Sequence, residues 1–452
     1  MAKRFVIIGG GPAGNTAATY AARFGAEVTM IEREVVGGGA HLRDCIPSKA
    51  MIATGSALAD IADSEHMGLT DVSASLDFAA LRARLASIGE RLERSTTTLL
   101  ESQGVRLVKG SGRLVSAHEV AITTADGEEV VEADTVLLAT GSRPRIPDWA
   151  HIDGVRMLTT RDAYPPLELP EHLVVVGSGV TGVEFVHMFA SFGCRVSLIV
   201  SRQQVLPNKD PEVAAALEAD FLARGVELLK GARAVGGSAG DDGVVIECSD
   251  GRRVEGSHAL LAIGSLPNTE DLGLDAAGIA TDGGYITVDH NCMSSVPGIY
   301  AAGDVSGKLP LSSVASMQGR KIAEHAMGLH SGPHRHIDYE KAASAIFTVP
   351  EIADVGLAEA DAFASGRKIR VTKVPFSSNA KALIEDDPRG FVKIISDPAT
   401  GVVLGGSIVG RHAAELISVV ALAVSAGLRV IDLHEALFVH PSMAEALADA
   451  AE

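Results

Sequence analysis

Along the chain, short runs of apolar, mostly β-branched residues end abruptly in glycine, and alanine-rich stretches follow them. Phe5-Val6-Ile7-Ile8 leads into Gly9-Gly10-Gly11-Pro12-Ala13-Gly14. Asn15–Phe24 comes next, Gly25 closes it, and a second apolar run, Glu27–Ile31, delivers Glu32. An uninterrupted apolar run bounded by glycine reads as a buried strand, and the alanine-rich stretch reads as a helix stopped at Gly25. The pattern therefore predicts strand, glycine loop, helix, strand, acid. The same order returns later. His172–Val176 is a strand, Gly177-Ser178-Gly179-Val180-Thr181-Gly182 a loop, Val183–Phe192 a helix and Arg195–Val200 a strand. This second strand ends in Ser201-Arg202-Gln203-Gln204, with no acid.

Each copy has the parts of a Rossmann-like dinucleotide-binding unit, so the fold class is α/β. In the first, Gly9 allows the tight turn, Gly11 lets a pyrophosphate approach the backbone, and Gly14 lets the helix sit close to the strand. Pro12 and Ala13 lie within the loop, and the N-terminus of the helix that follows faces the phosphates with its positive end. Glu32 stands where a carboxylate accepts hydrogen bonds from ribose hydroxyls, with Arg33 next to it. In the second, Gly177, Gly179 and Gly182 take the same places, with Val180 and Thr181 in the loop between the last two. Ser201 and Arg202 fall at the ribose. A carboxylate there would favour NAD, whereas Arg202 can pair with a 2′-phosphate. Arg202 can equally be a solvated loop charge, so NADPH and NADH both stand as donors. Two units imply two nucleotides, one a tightly bound flavin and the other an exchanging hydride donor.

Composition narrows the partners. The formal charge is 39 − 57 = −18, which repels phosphate backbones and anionic lipid, so no nucleic-acid partner is expected. The four cysteines, Cys45, Cys194, Cys248 and Cys292, are too scattered for a secreted disulfide framework. The N-terminal apolar run is too short for a signal peptide. The apolar segment Leu416–Leu428 is too short, and too broken by Ser418, Ser425 and Gly427, to span a bilayer. A soluble cytoplasmic protein without an integral membrane segment is expected, and no metal site.

Further motifs fall in one order: Cys45-Ile46-Pro47-Ser48-Lys49, Leu138-Ala139-Thr140-Gly141-Ser142, Glu184 behind the second loop, and Gly264-Ser265-Leu266-Pro267-Asn268. Tyr300-Ala301-Ala302-Gly303-Asp304, Phe347-Thr348-Val349-Pro350-Glu351 and His440-Pro441-Ser442 with Glu445 complete the series. Taken together these resemble the pyridine nucleotide-disulfide oxidoreductases such as lipoamide dehydrogenase, glutathione reductase and mercuric reductase, over nearly the whole chain. The resemblance implies FAD held by the first loop with Thr140, Gly141, Gly303, Asp304 and Ala315. It implies NADPH or NADH at the second loop with Gly264. It also implies an ion pair of Lys49 with Glu184 beside the flavin N5 edge, where a cation would stabilise the charge arriving with a hydride. A helix-surface lysine and a first-turn glutamate are the plainer alternative. The resemblance further implies a C-terminal α+β dimerisation domain, and a homodimer in which the His440 segment reaches the flavin of the other subunit.

The sequence departs from the family's pattern at one place. Disulfide-using members carry two cysteines with four residues between them, before Pro-Ser-Lys. Here the segment is Gly37-Gly38-Gly39-Ala40-His41-Leu42-Arg43-Asp44-Cys45. Cys45 fills the flavin-proximal position and Ala40 stands in the place of its partner, without sulfur. Reduced flavin is then expected to hand electrons straight to a quinone, a dye, oxygen or another small oxidant, as in the lipoamide-dehydrogenase-like NAD(P)H:quinone reductases. A single-cysteine disulfide or peroxide reductase working through Cys45, and a subunit of a larger dehydrogenase complex, are the competing readings. Cys45 either tunes the flavin or is a small buried residue. His440 either protonates the reduced acceptor, as a histidine's ordinary pKa allows, or is a hydrogen-bonded packing residue. His41 either lines an acceptor pocket or, with Asp44, is an ordinary first-turn residue.

Three domains are expected: FAD-binding at 1–148 and 273–335, NAD(P)-binding at 149–272, and dimerisation at 336–452. Pro144 and Pro147 mark the first crossing, and Ser331–Tyr339 opens the last domain. The apolar face of a helix over His412–Ala426 is a plausible dimer surface.

Overall fold

The computed structural model describes residues 2–62, 64–329 and 336–452. The chain forms two compact units. One comprises Met1–Pro47, Ala79–Arg145 and Gly264–Tyr339, the other Ser48–Phe78, Ile146–Ile263 and Glu340–Glu452. The fold is α/β, with a five-stranded parallel sheet in each unit and a C-terminal α+β part in the second.

The sheet of the first unit runs Ile299–Ala301, Thr135–Leu138, Arg4–Ile8, Glu27–Glu32, Arg106–Lys109, with every neighbouring pair parallel. Both of its faces are covered. Phe5, Ile7, Met30 and Leu137 bury with the alanines of the helix Pro12–Arg23 and with Ile322 and Ala323 of the helix Ser312–Ala326. Val6, Ile8, Val136 and Leu138 bury with Leu114, Val120 and Ile122 of a three-stranded antiparallel layer. This two-sided burial explains why the strands read as continuous apolar runs rather than alternating ones. The two helices meet at Gly319, where a Cβ would lie 2.2 Å from the Ala13 carbonyl oxygen.

The second unit repeats the plan. Its parallel sheet runs Met157–Thr159, His258–Leu261, His172–Val176, Arg195–Val200, Glu227–Lys230, and a second three-stranded antiparallel layer, Ala234–Gly240, Gly243–Cys248 and Arg253–Gly256, packs with it. The C-terminal part is an antiparallel sheet in the order Ser344–Ile346, Ile352–Gly356, Val403–Val409, Phe391–Ser396, Arg370–Pro375. The helix Ala413–Ala426 buries Ile417, Val420, Ala423 and Val424 in the core under that sheet.

Three details differ from the sequence reading. Both glycine-loop helices begin earlier, at Pro12 and Val180, because Gly11 (φ −75°, ψ −174°) and Gly179 (φ −74°, ψ −175°) are the N-caps. The final glycine of each motif thus lies inside the helix, and proline suits the first helical position. Residues 264–272, expected in the nucleotide domain, pack with the first unit, where Ser265–Pro267 pairs antiparallel with Ser142–Pro144. His412 precedes the helix in a left-handed conformation, φ +63°. The expected boundary at 335/336 falls at the edge of residues 330–335, which lie outside the described residues along with part of Ser331–Tyr339. Among the described residues no helix is long and apolar enough to cross a membrane.

Candidate active site

In the first unit the glycine loop is shaped by what a side chain would strike. At Gly9 (φ +109°) a Cβ would sit 2.2 Å from the Ala139 carbonyl oxygen, and at Gly14 it would sit 2.1 Å from the Gly9 oxygen. Gly11 differs: its nearest neighbour would be Gly38 Cα at 3.9 Å, so its face is open to a ligand. The helix Pro12–Arg23 begins there, at the end where a helix's first N–H groups have no partner within it. The Glu32 carboxylate is held at the loop's edge, accepting from the Gly10 N–H at 2.7 Å and the Glu34 N–H at 2.6 Å. Arg33 is exposed near Glu34. Thr140 and Asn268 exchange hydrogen bonds, Thr140 Oγ1 to the Asn268 oxygen at 2.7 Å and Asn268 Nδ2 to the Thr140 oxygen at 2.9 Å. Gly141 takes φ +68° between them and Ser142, whose hydroxyl donates to Asp304 at 2.6 Å. The Gly303 N–H donates to the buried Gln318 Oε1 at 2.7 Å, and Ala315 is nearly buried on the same helix as Gln318. Gly9, Gly11, Pro12, Ala13, Gly14, Glu32, Thr140, Gly141, Gly303, Asp304 and Ala315 therefore belong to one folded unit. Its open glycine face, hydrogen-bonded carboxylates and helix N-terminus suit a dinucleotide such as FAD.

The second loop matches the first. A Cβ at Gly177 (φ +110°) would lie 2.3 Å from the Ala262 oxygen, and one at Gly182 would lie 1.9 Å from the Gly177 oxygen, while Gly179 faces open space. Val180 and Thr181 start the helix. Ser201 and Arg202 are exposed at the end of the next strand. Among the described residues the Arg202 guanidinium is in no ion pair, so it is available to a phosphate. Gly264, expected at this loop, belongs to the first unit.

Glu184 lies inward on the helix Val180–Ser191 and is 3% exposed. Its Oε2 accepts from Lys49 Nζ at 2.8 Å, and its Oε1 accepts from the Phe347 N–H at 3.0 Å. The Lys49 ammonium also stands 5.1 Å from the centre of the Phe347 ring. Lys49 is on the helix Ile46–Ala62, which approaches the other helix closely where Gly55 meets Ser191. A groove of about 370 Å³ opens along the Ile52, Ser56 and Asp60 side of that helix, with Lys49 and Phe347 in its wall. The pair is thus a buried, hydrogen-bonded carboxylate holding a partly exposed cation, not a helix-surface lysine and a solvated glutamate.

Just before that helix, Ala40–Cys45 forms a π turn, closed by the Ile46 N–H donating to the His41 oxygen. The i to i+5 bonding brings residues five apart into line, so Ala40 and Cys45 share one side of the turn. His41 and Asp44 therefore belong to this turn rather than to an ordinary first helical turn. Burial lowers the His41 pKa. Cys45 is half-buried, while Cys194, Cys248 and Cys292 are buried, and among the described residues no disulfide forms. Burial pushes the Cys194 thiol up to about 12 and the Cys292 thiol up to about 11.

His440 and Glu445 are joined by a 2.8 Å bond from Nδ1 to Oε1, and the Ser442 N–H donates to the other carboxylate oxygen at 2.9 Å. That N–H, then His440, holds the Glu445 carboxyl below its ordinary pKa. His440 is 74% exposed, next to Leu437 and Val439, which are also exposed.

Sequence reasoning missed Gln318, Asn268, the Phe347 N–H and Gly38. The Gly38 Cβ would lie 2.6 Å from Gly11 Cα. Gly38 carried a signal, being one of three successive glycines. Gly319 carried another, as an isolated glycine within a helical pattern.

The comparisons with known proteins agree with this geometry. Residues 3–319 match the family model of the pyridine nucleotide-disulphide oxidoreductases, and residues 342–451 match that family's dimerisation domain. An NAD(P)H dehydrogenase (quinone) from Mycobacterium tuberculosis strain H37Rv is 42% identical, over 100% of this chain and 94% of that protein. A dihydrolipoyl dehydrogenase from Zymomonas mobilis is 33% identical, over 99% and 97%. The crystal structure of LpdA from Mycobacterium tuberculosis superposes with a TM-score of 0.94 at 41% identity, covering 99% of each chain. The HOCl-induced flavoprotein disulfide reductase RclA from Escherichia coli, in its Cu(II) complex, gives 0.89 at 26% identity over 100% and 99%. This chain belongs to the pyridine nucleotide-disulphide oxidoreductases, FAD-dependent enzymes that take their electrons from NAD(P)H.

Proposed function

We propose that this chain is a cytoplasmic, homodimeric NAD(P)H dehydrogenase that reduces a quinone or comparable small oxidant directly from FAD, without a cystine relay. The observation that carries the reading is Ala40, which occupies the π turn's partner position to Cys45 with a methyl group that takes up no electrons. The remaining cysteines are buried, and burial disfavours their reactive thiolates. The name of the 42%-identical Mycobacterium tuberculosis protein, NAD(P)H dehydrogenase (quinone), supports the same reading.

Bound FAD would accept the hydride of NAD(P)H and deliver two electrons to the acceptor. Gly9, Gly11, Pro12, Ala13, Gly14, Glu32, Arg33, Thr140, Gly141, Gly303, Asp304 and Ala315 would hold it, and Gly177, Gly179, Val180, Thr181, Gly182, Ser201 and Arg202 would hold the donor. Lys49 would supply a positive charge for the hydride-accepting flavin, worth most where water is excluded. Glu184 holds that ammonium in place by accepting its hydrogen bond, and the Phe347 N–H fixes the carboxylate's orientation. Glu445 orients His440 through Nδ1, leaving Nε2 to give a proton to the reduced acceptor. Exposed as it is, with Leu437 and Val439, this pair serves the other subunit's site, which requires the homodimer.

Anaerobic titration with NAD(P)H tests the central claim. Uptake of two electrons per FAD is the expected result, and uptake of four means a working dithiol and ends the proposal. Cys45→Ser should retain quinone turnover; loss of turnover with a disulfide substrate alone would favour the single-cysteine reductase. His440→Ala should reshape the pH profile of quinone reduction, and an unchanged profile removes the proton-donor role.

A further inference from the structure

Lys393 is 1% exposed on the strand Phe391–Ser396, among Val392, Ile394 and Ile395. Its ammonium meets three carboxylates, Asp210 at 3.0 Å, Glu212 at 2.5 Å and Glu359 at 2.8 Å. Desolvating such a cluster costs several kcal/mol per ion, and apolar packing stabilises a core as well, so stability alone does not account for it. What it holds is more informative. Asp210 caps the helix Pro211–Ala223 by accepting from the Glu212 N–H at 3.0 Å. One residue earlier, Lys209 Nζ meets Asp354 at 2.5 Å and the Ser344 hydroxyl at 3.1 Å. Residues 209–212 are thereby tied to three strands of the C-terminal sheet.

The restraint continues towards the second glycine loop. The Lys209 N–H donates to the Leu206 oxygen at 2.9 Å. Gln204 Nε2 donates to the Lys209 oxygen at 3.1 Å. Leu206 is buried in a left-handed conformation, φ +48°, which costs a branched residue on the order of 1–2 kcal/mol and persists only where the surroundings impose it. Its N–H donates to the Ser178 oxygen at 2.8 Å, inside the glycine loop itself. Ser201 and Arg202 stand at the head of the same segment.

We propose that Lys209 and Lys393 are positioning residues for the nicotinamide nucleotide, by which the C-terminal sheet fixes the 201–210 segment and, through Leu206 and Ser178, the pyrophosphate-facing loop. The proposal rests on the reading of that loop as the NAD(P)H site. Lys393→Met would leave the buried Asp210 carboxylate, with Glu212 and Glu359 beside it, without their shared cation and risks an unfolded product, so Lys209→Met and Lys209→Arg decide the matter. Each is followed in the FAD-loaded dimer by anaerobic flavin reduction at increasing NADPH and NADH. Lys209→Met should weaken the apparent Kd of both nucleotides about tenfold, leave the limiting reduction rate and the quinone KM within twofold, and Lys209→Arg should restore binding. An unchanged Kd in folded Lys209→Met overturns the proposal while leaving the nucleotide site intact. If the unaltered protein reduces its flavin with neither nucleotide, the reading of the loop itself falls, and the proposal with it.

Discussion

The two glycine-loop helices, Pro12–Arg23 and Val180–Ser191, are one backbone solution carrying two side-chain programmes. Their N-caps agree to a degree in φ and ψ, and each places two glycines against carbonyl oxygens and leaves a third open. The first helix then buries little but alanine, which lets the helix Ser312–Ala326 close over it at Gly319. The second buries Glu184 and His187 in the corresponding stretch, where the first has Thr16 and Thr19. The acid at the end of the next strand shows the reverse: Glu32 in the first, Ser201-Arg202 in the second. The shared backbone suits a dinucleotide in both units, and the units differ in the inward face of the helix and in the residue at the strand end.

The sharpest break of this parallel comes from the glycines whose Cβ has no room. Gly9→Ala and Gly177→Ala both force a methyl to within 2.3 Å of a carbonyl oxygen at positive φ, a cost on the order of 3 kcal/mol or more. Gly9→Ala should purify without FAD absorbance. Gly177→Ala should purify yellow but show no flavin reduction by NAD(P)H. If the two phenotypes exchange, the assignment of the loops is reversed.

Next in size is the pair of helix positions that correspond but differ. Glu184→Ala removes the buried partner of Lys49 and should slow flavin reduction about 10²-fold, the scale for losing an electrostatic stabiliser. Thr16→Ala, at the equivalent place in the first helix, should stay within twofold. Stopped-flow reduction of both variants makes the comparison, and equal effects would mean that the Lys49–Glu184 pair only supports the fold.

Much of this was legible in the sequence, because a strand buried on both faces and ended by a tight turn has few ways to be written. Both nucleotide units could be read from Phe5–Ile8 with its glycines and from His172–Val176 with its own. Lys49 and Glu184 were found through their motifs. Hydrogen bonds between segments distant in the chain, such as Gly303 N–H to Gln318 and Phe347 N–H to Glu184, leave no periodic trace and were not legible. The π turn was hidden for a related reason. Its i to i+5 bonding is a local departure from helical spacing, and Ala40–Cys45 reads in sequence as the start of the following helix.

A smaller effect separates the units by pH. His187 is fully buried, and its Nδ1 accepts from Arg224 at 2.9 Å. Burial, then the positive charge of Arg224, brings its pKa down to about 3 from 6.5. The folded protein therefore binds this proton less readily than the unfolded chain, so stability is full above the unfolded value and falls as pH drops below 6.5. At pH 5 the loss amounts to about 2 kcal/mol. Acid should thus weaken the second unit through its glycine-loop helix, while the first helix holds no such group. His187→Gln should flatten the midpoint of urea unfolding between pH 7 and pH 5; a midpoint with the same slope as the parent assigns the acid lability elsewhere.

The smallest expected effect tests the strand ends. The Glu32 carboxylate is engaged by the backbone of its own loop, whereas Arg202 is exposed and, among the described residues, in no ion pair. If the guanidinium reads a 2′-phosphate, Arg202→Met removes a charge-assisted contact made by NADPH alone. The apparent Kd for NADPH should then rise about tenfold, roughly 1.4 kcal/mol, with NADH within twofold. Arg202→Glu should go further, repelling the phosphate while placing at the second strand end a carboxylate like that of Glu32 at the first. Titrating flavin reduction with both donors measures the ratio directly. Equal shifts for the two nucleotides would make Arg202 a general electrostatic attractor, and no shift would leave it a solvated loop charge. In either case the difference between the two strand ends would not encode nucleotide choice, and selectivity would have to come from the geometry of the loop and not from its charge.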